Sequence, residues 1–238
     1  MRFVIDPDIF FHFPGMRLVT AAAFAVQPPS PEAKIEIAAY AGAAWQHAGQ
    51  EVAAHENPQS HPNIKPWGER MREVGAPRKQ FPSSVEALAR RAAKGGSPIS
   101  INPLVDFYNA VSLSHLVPAG GFDMDALRND LFLRFSREGD RFTALDSDEA
   151  VAIPAGEVSY ADGPEIITRH FVWKQSRHAI LTPESRNIFF VSEILGELPS
   201  GLVSEVCRAF QNGMARYFGL NVKTAVLDEQ HQSIEMRS

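Results

Sequence analysis

The run "INPLVDFYNAVSL", residues 101–113, constrains this chain more than any other stretch. Asn102 and Pro103 make a helix start: an amide side chain that caps free N–H groups, then a proline whose missing N–H costs nothing there. Leu104, Val105, Tyr108 and Val111 cover one side, Phe107 is also apolar, and Ala110 and Leu113 carry the apolar surface to the other side. A helix apolar nearly all round has to be enclosed on most sides, so the fold must build layers around it. Asp106 and Asn109 lie on the same helix, and a buried carboxylate without a partner is strongly destabilising. The nearest partners in sequence are the backbone N–H groups of "PAGG", residues 118–121, which suits a loop with positive φ and close backbone approach. Asn102, Asp106 and Asn109 are therefore read as structural support that fastens this loop. Gly120 and Gly121 are read as the place where free N–H groups would face a substrate oxygen.

The remaining organisation follows from periodicity and turn signals. Residues 16–27 read as a buried strand, and Ser30-Pro31 opens a helix whose apolar stripe ends near Gly49. A short helix spans Trp67 to Val74, "APRKQFP" reads as an extended linker, and "SSVEALARR" is a capped helix. The second half supplies strand-like runs: "LFLRFSR", "RFTAL", "EVSYA", "EIITRHFVWK" and "NIFFVSEI". A last amphipathic helix covers about Gly201 to Phe218, and "NVKTAVL" adds a final strand. Helices first, strands next and one helix last predict an α+β fold. The expected architecture is one domain over residues 1–227 with a mixed β-sheet core and packed helices, followed by a loose tail over residues 228–238.

Several function classes are disfavoured. With 238 residues and a net charge of −5, an overall affinity for nucleic acid is not expected. No apolar run approaches the ~20 residues of a membrane span. Asp6, Asp8 and His12 interrupt the N-terminal stretch where a signal peptide stays apolar. One cysteine, Cys207, suits a reducing cytoplasm and sits near an apolar helix stripe, as a core residue would. The signatures of nucleotide loops, nucleophile elbows and zinc proteases are missing, and His47, His55 and His61 match no common metal spacing. No metal and no cofactor is expected.

Two further features carry chemistry. Residues 65–94 hold eight basic side chains against three acidic ones, a local net charge of +5. Within it Arg70, Arg72, Arg78, Lys79, Arg90 and Arg91 are candidate RNA contacts. In "RHFVWKQSRH", residues 169–178, a continuous strand would place Arg169, Phe171 and Trp173 on one face, a surface suited to an anion or an aromatic group.

The stretch "SINPLVDFYNAVSLSHLVPAGGFD" resembles the core of the B3/B4 domain in the β subunit of bacterial phenylalanyl-tRNA synthetase. It is more similar still to free-standing B3/B4-domain proteins, as are "SSVEALARR" and "WKQSRHAILTPESRNIFFV", so that the resemblance covers about residues 60–215. The resemblance implies a β-rich α+β domain with a pocket between B3 and B4, which in the synthetase hydrolyses tyrosine wrongly attached to the phenylalanine tRNA. It implies a deacylase acting in trans on mischarged aminoacyl-tRNA. Where the synthetase has a pocket histidine this chain has Gly120, where it has an arginine this chain has Ile99, and its pocket glutamate falls near Arg177. The catalytic groups therefore stay unassigned. The expected substrate pocket comprises Gly120, Gly121, Phe122, Arg169, Trp173 and Arg177. A non-catalytic alternative uses Arg169 or Arg177 to hold the carboxylate of a free amino acid or another small anion, with Trp173 or Phe122 against its side chain. A protein-interaction module with a filled pocket is the third reading.

Overall fold

The computed structural model describes residues 1–237. In chain order the elements are β1 (Arg2–Ile5), α1 (Pro7–His12), β2 (Arg17–Ala23), α2 (Pro31–Ala53), α3 (Lys65–Glu73), α4 (Ser84–Ala93), α5 (Pro103–His115), β3 (Ala119–Asp123), β4 (Leu131–Phe135), β5 (Arg141–Thr143), β6 (Ala150–Ala152), β7 (Val158–Asp162), β8 (Glu165–Arg169), β9 (Lys174–Gln175), β10 (Ile188–Ile194), α6 (Gly201–Phe218), β11 (Thr224–Leu227) and β12 (Ser233–Glu235). The fold is α+β.

Two sheets form. One has eight strands in the order β12-β1-β4-β7-β8-β5-β6, with β9 paired to β8; it is mixed, because β1–β4 and β5–β8 run parallel. The other is antiparallel, in the order β11-β2-β10-β3. Strand β10 is buried along all seven residues because both of its faces are covered. Phe189 packs on Phe3 of the larger sheet, while Phe190 packs on Phe107 and Phe210 of α5 and α6. The small sheet is thus a middle layer, with the larger sheet on one face and α5 and α6 on the other. Helix α2 packs in turn on α4, α5 and α6.

The capping logic of α5 holds in detail. Asn102 Oδ1 accepts from the Leu104 and Val105 amides at 3.1 and 3.0 Å, and its Nδ2 donates to the Leu181 carbonyl at 3.0 Å. Asp106 is buried and partnered, but in the opposite direction from the one expected. It accepts from the Ser100 hydroxyl at 2.7 Å and the Ile101 amide at 2.8 Å, so it fastens the segment before the helix. A carboxylate in the first turn lies beside the chain that enters the helix, whereas the segment after α5 is a helix length away.

Four other expectations are corrected. The "PAGG" segment is not a loop, because Ala119–Asp123 form strand β3 along β10. "EIITRHFVWK" is not one strand. It folds into the β8–β9 hairpin, with His170 and Phe171 in the left-handed region at φ 44° and 63°. Helix α2 continues past Gly49 to Ala53, because this glycine is a packing contact: a Cβ there would lie 3.1 Å from the Ala92 carbonyl oxygen of α4. The tail is not loose over its described part, since Ser233–Glu235 pair with Arg2–Val4 and Met236 is buried. The exposed edge of β1 supplies the hydrogen-bond partners that make those polar residues a strand. Strand β1, absent from the sequence reading like helix α1, lies between β12 and β4.

Two glycines separate close packing from open helix surface. A Cβ on Gly213 of α6 would lie 2.1 Å from Phe107 Cε2, whereas a Cβ on Gly42 of α2 would meet nothing within 4 Å. Gly213→Ala is expected to lower stability by about 1–3 kcal/mol through overpacking, and Gly42→Ala to raise it by about 0.5–1 kcal/mol. Urea midpoints of the two variants moving in the same direction would contradict this packing.

Candidate functional site

Between the two sheets lies a cavity of about 120 Å³. It exists because of the register of β3 on β10. Phe122 sits opposite Phe189 and Gly120 opposite Val191, all facing the larger sheet. Phe122 reaches Tyr160 of β7 at 5.3 Å between ring centroids, while Gly120 has no side chain and nothing within 4 Å of where a Cβ would be. The next residue is different: a Cβ on Gly121, pointing to the helix side, would lie 2.7 Å from Leu181 Cδ1 and 2.9 Å from Phe190 Cδ1. Gly120 leaves volume free, whereas Gly121 permits close packing.

The opposite wall comes from the larger sheet and its hairpin: Tyr160, Thr168, Phe171, Trp173 and Gln175. Tyr108 and Asn109 of α5 and Ser84 of α4 complete the rim. Asn109 therefore lines the cavity instead of tying down a loop. Strand β3 is the free edge of its sheet. The Gly121 carbonyl accepts from Gln175 Nε2 at 3.1 Å and the Asp123 amide donates to the Ala179 carbonyl at 3.0 Å, so residues 119, 121 and 123 turn their polar backbone groups away from β10. The Ala119 and Gly121 amides belong to this outward set.

The charged residue of the cavity is Glu193, which the sequence reading missed. It follows Phe189 and Val191 on the same face of β10 and is 3% exposed. The Tyr160 hydroxyl donates to its carboxylate at 2.6 Å. Burial pushes the Glu193 carboxyl up to about 7. Burial, followed by the charge of Glu193, holds the Tyr160 phenol well above its usual range. The signal was a single carboxylate inside the apolar run "IFFVSEI"; its partner lies 33 residues away and leaves no local mark.

The structure brings together Gly120, Gly121, Phe122 and Trp173, but not the two arginines. Arg169 points away from the cavity because it follows Thr168, which lines it, on strand β8. Its Nε donates to Glu157 at 2.9 Å, its Nη2 pairs with the same carboxylate, and its guanidinium lies over the Phe142 and Trp173 rings. Arg177 is exposed and engages the Ser147 carbonyl at 3.0 Å and the Asp148 carboxylate. No basic side chain lines the cavity, so the proposed carboxylate ligands Arg169 and Arg177 are misplaced for that task. Ile99 also stays outside it, in the segment that Asp106 holds.

The basic segment divides in two. Arg70 pairs with Glu73 and Glu197, Arg90 with Glu86, and Arg78 donates to the Gln59 carbonyl at 3.2 Å while covering Gly68. Arg72, Lys79 and Arg91 are exposed.

The Glu193 carboxyl has a folded-state pKa raised above its unfolded value of 4.5. Its burial therefore costs nothing below that value, and stability falls as pH rises towards about 7, where the folded state also ionises. Glu193→Gln is expected to flatten the decline of Tm between pH 5 and pH 8. An identical slope in wild type and variant would place the buried charge elsewhere.

A family model described as the B3/4 domain matches residues 69–214. Among solved structures, the chain is similar to an N-terminal fragment of the phenylalanyl-tRNA synthetase beta-subunit from Pyrococcus horikoshii, at 12% identity and a TM-score of 0.40. The match covers 53% of this chain and 43% of that fragment, so the chain spans less than half of its length. No curated protein matches.

Proposed function

The chain belongs to the B3/4 domain family, and from that premise we propose that it is a deacylase acting in trans on mischarged aminoacyl-tRNA. The observation that carries this reading is the charge of the cavity: one buried carboxylate, Glu193, and no lining cation. A free amino acid would have to bring its own carboxylate beside Glu193 in a medium where like charges repel strongly. An aminoacyl ester has no such group. It offers an ammonium and an uncharged carbonyl, and both suit the site.

In this reading Glu193 attracts and orients the ammonium. The side chain of the amino acid fills the volume left by Gly120, against Phe122, Phe171 and Trp173. The outward amides of Ala119 and Gly121 stabilise the oxyanion as water adds to the carbonyl. The bond between the carbonyl carbon and the ribose oxygen then breaks, and the proton lost by the water ends on that oxygen. An ester is already activated, so positioning and electrostatics suffice without a protein nucleophile. The amino acid released carries a new carboxylate, which Glu193 repels, and this favours its departure. Arg72, Lys79 and Arg91 are the exposed cations best suited to meet RNA phosphates. The setting is a reducing cytoplasm.

The test is a panel of mischarged aminoacyl-tRNAs with purified protein. At least one ester is expected to be hydrolysed faster than in buffer. Gly120→Val is expected to lower kcat/KM about 10- to 100-fold while the protein stays folded, because a Cβ at this position meets nothing within 4 Å and the γ carbons enter the free volume. The attraction requires ionised Glu193, so kcat/KM gains a step upward near pH 7 that Glu193→Gln removes. A panel left intact at high enzyme concentration would overturn the reading.

A further inference from the structure

A second hollow, of about 80 Å³, lies where α5 begins, between the segment leaving β2 and the segment entering β10. Its lining contains two charged side chains, Lys34 and Arg186, and no acid. Arg70, Arg90, Arg134, Arg169 and Arg177 are each paired with a carboxylate. Lys34 and Arg186 form no ion pair among the described residues. Arg186 is half-buried and its Nη1 donates to the Pro183 and Ser185 carbonyls at 3.0 and 3.1 Å, which fixes the guanidinium and leaves its other N–H groups for a ligand. The walls are four prolines, which cannot donate hydrogen bonds, and Leu104 and Phe218 give an apolar surface. The first amides of α5 add nothing, because Asn102 Oδ1 already holds those of Leu104 and Val105.

Two uncompensated cations beside an apolar surface select an anion carried on an apolar or flat body. A fixed guanidinium fork with a mobile ammonium matches a phosphate in both geometry and charge. We propose that this cleft binds the phosphate of a nucleotide. Its place supports that assignment. Leu181 touches residues of both hollows without lining either: its carbonyl accepts from Asn102 of the cleft, and its Cδ1 packs behind Gly121, on the face of β3 turned away from the cavity. An aminoacyl nucleotide carries an ammonium at one end and a phosphate at the other, and the two hollows carry the opposite signs. The proposal rests on the deacylase reading for that pairing alone. The phosphate site itself is measured without any hydrolysis.

The experiment is calorimetric titration of the full chain with AMP, inorganic phosphate and adenosine at low salt. AMP is expected to bind saturably and more tightly than adenosine. Lys34→Ala and Arg186→Ala are each expected to weaken AMP about tenfold and to leave adenosine unchanged, with Arg186→Lys intermediate. Arg137→Ala, exposed in the turn between β4 and β5 and outside the cleft's lining, is the control with no effect. Competition by uncharged tRNA would identify the phosphate as that of an RNA end, and no competition would identify a free nucleotide; both retain the site. Absence of saturable AMP binding, or unchanged AMP affinity in both alanine variants of normal Tm, overturns it.

Discussion

Strand β10 is the constraint on which the rest depends. It is hydrogen-bonded on both edges, to β2 and β3, and covered on both faces, by the larger sheet and by α5 and α6. A strand so enclosed has no solvent face to absorb error, and a slip of one residue would exchange Phe189, Val191 and Glu193 with Phe190 and Ser192. The apolar helix α5 then has its place defined. It lies against the Phe190 face, with Phe107 in the centre of a cluster formed with Phe190, Phe210 and Phe218. The helix that had to be enclosed and the strand that has to be covered satisfy one another.

The same register creates the site. Every second residue of β10 faces the larger sheet, and β3 opposes that row with Phe122 and then with nothing at Gly120. A gap in a packed interior loses dispersion contacts, and the chain compounds that cost by placing Glu193 beside it. Tyr160 offsets part of the burial with a 2.6 Å hydrogen bond. A buried carboxyl with one phenolic partner and an adjoining empty volume is an arrangement that packing alone would not favour.

Much of the outer fold was legible in sequence, and the errors have a common cause. Helices α4, α5 and α6 announced themselves through caps and periodicity, which are local. Gly120 and Gly121 were misjudged because glycine was taken to mean conformational freedom. Neither has positive φ; one is small to leave room and the other to let Leu181 and Phe190 approach. The β8–β9 turn was invisible because its left-handed residues are His170 and Phe171, neither glycine nor asparagine. That turn buries Phe171 against Phe13, Trp67 and Tyr160, and tertiary packing therefore supports a conformation that local preference disfavours. Strands β1 and β12 depend on each other across the whole length of the chain, and no window of sequence contains both.

Strand alternation also determines the sign of the cavity. Thr168 sits opposite Tyr160 and lines the cavity, so the next residue of β8, Arg169, faces the other side of the larger sheet. There it pairs with Glu157 and its guanidinium lies over the Phe142 and Trp173 rings. Arg169 therefore does not neutralise Glu193, whose carboxyl has the Tyr160 hydroxyl as its side-chain partner. Nearby cations are likewise committed: Arg177 to Asp148 and Arg134 to Asp140. Lys34 and Arg186, which form no ion pair among the described residues, line the separate cleft at the start of α5. The cavity on the larger-sheet side of β3 thus holds an acid, and the cleft at the start of α5 holds two cations, so the two hollows carry opposite charge.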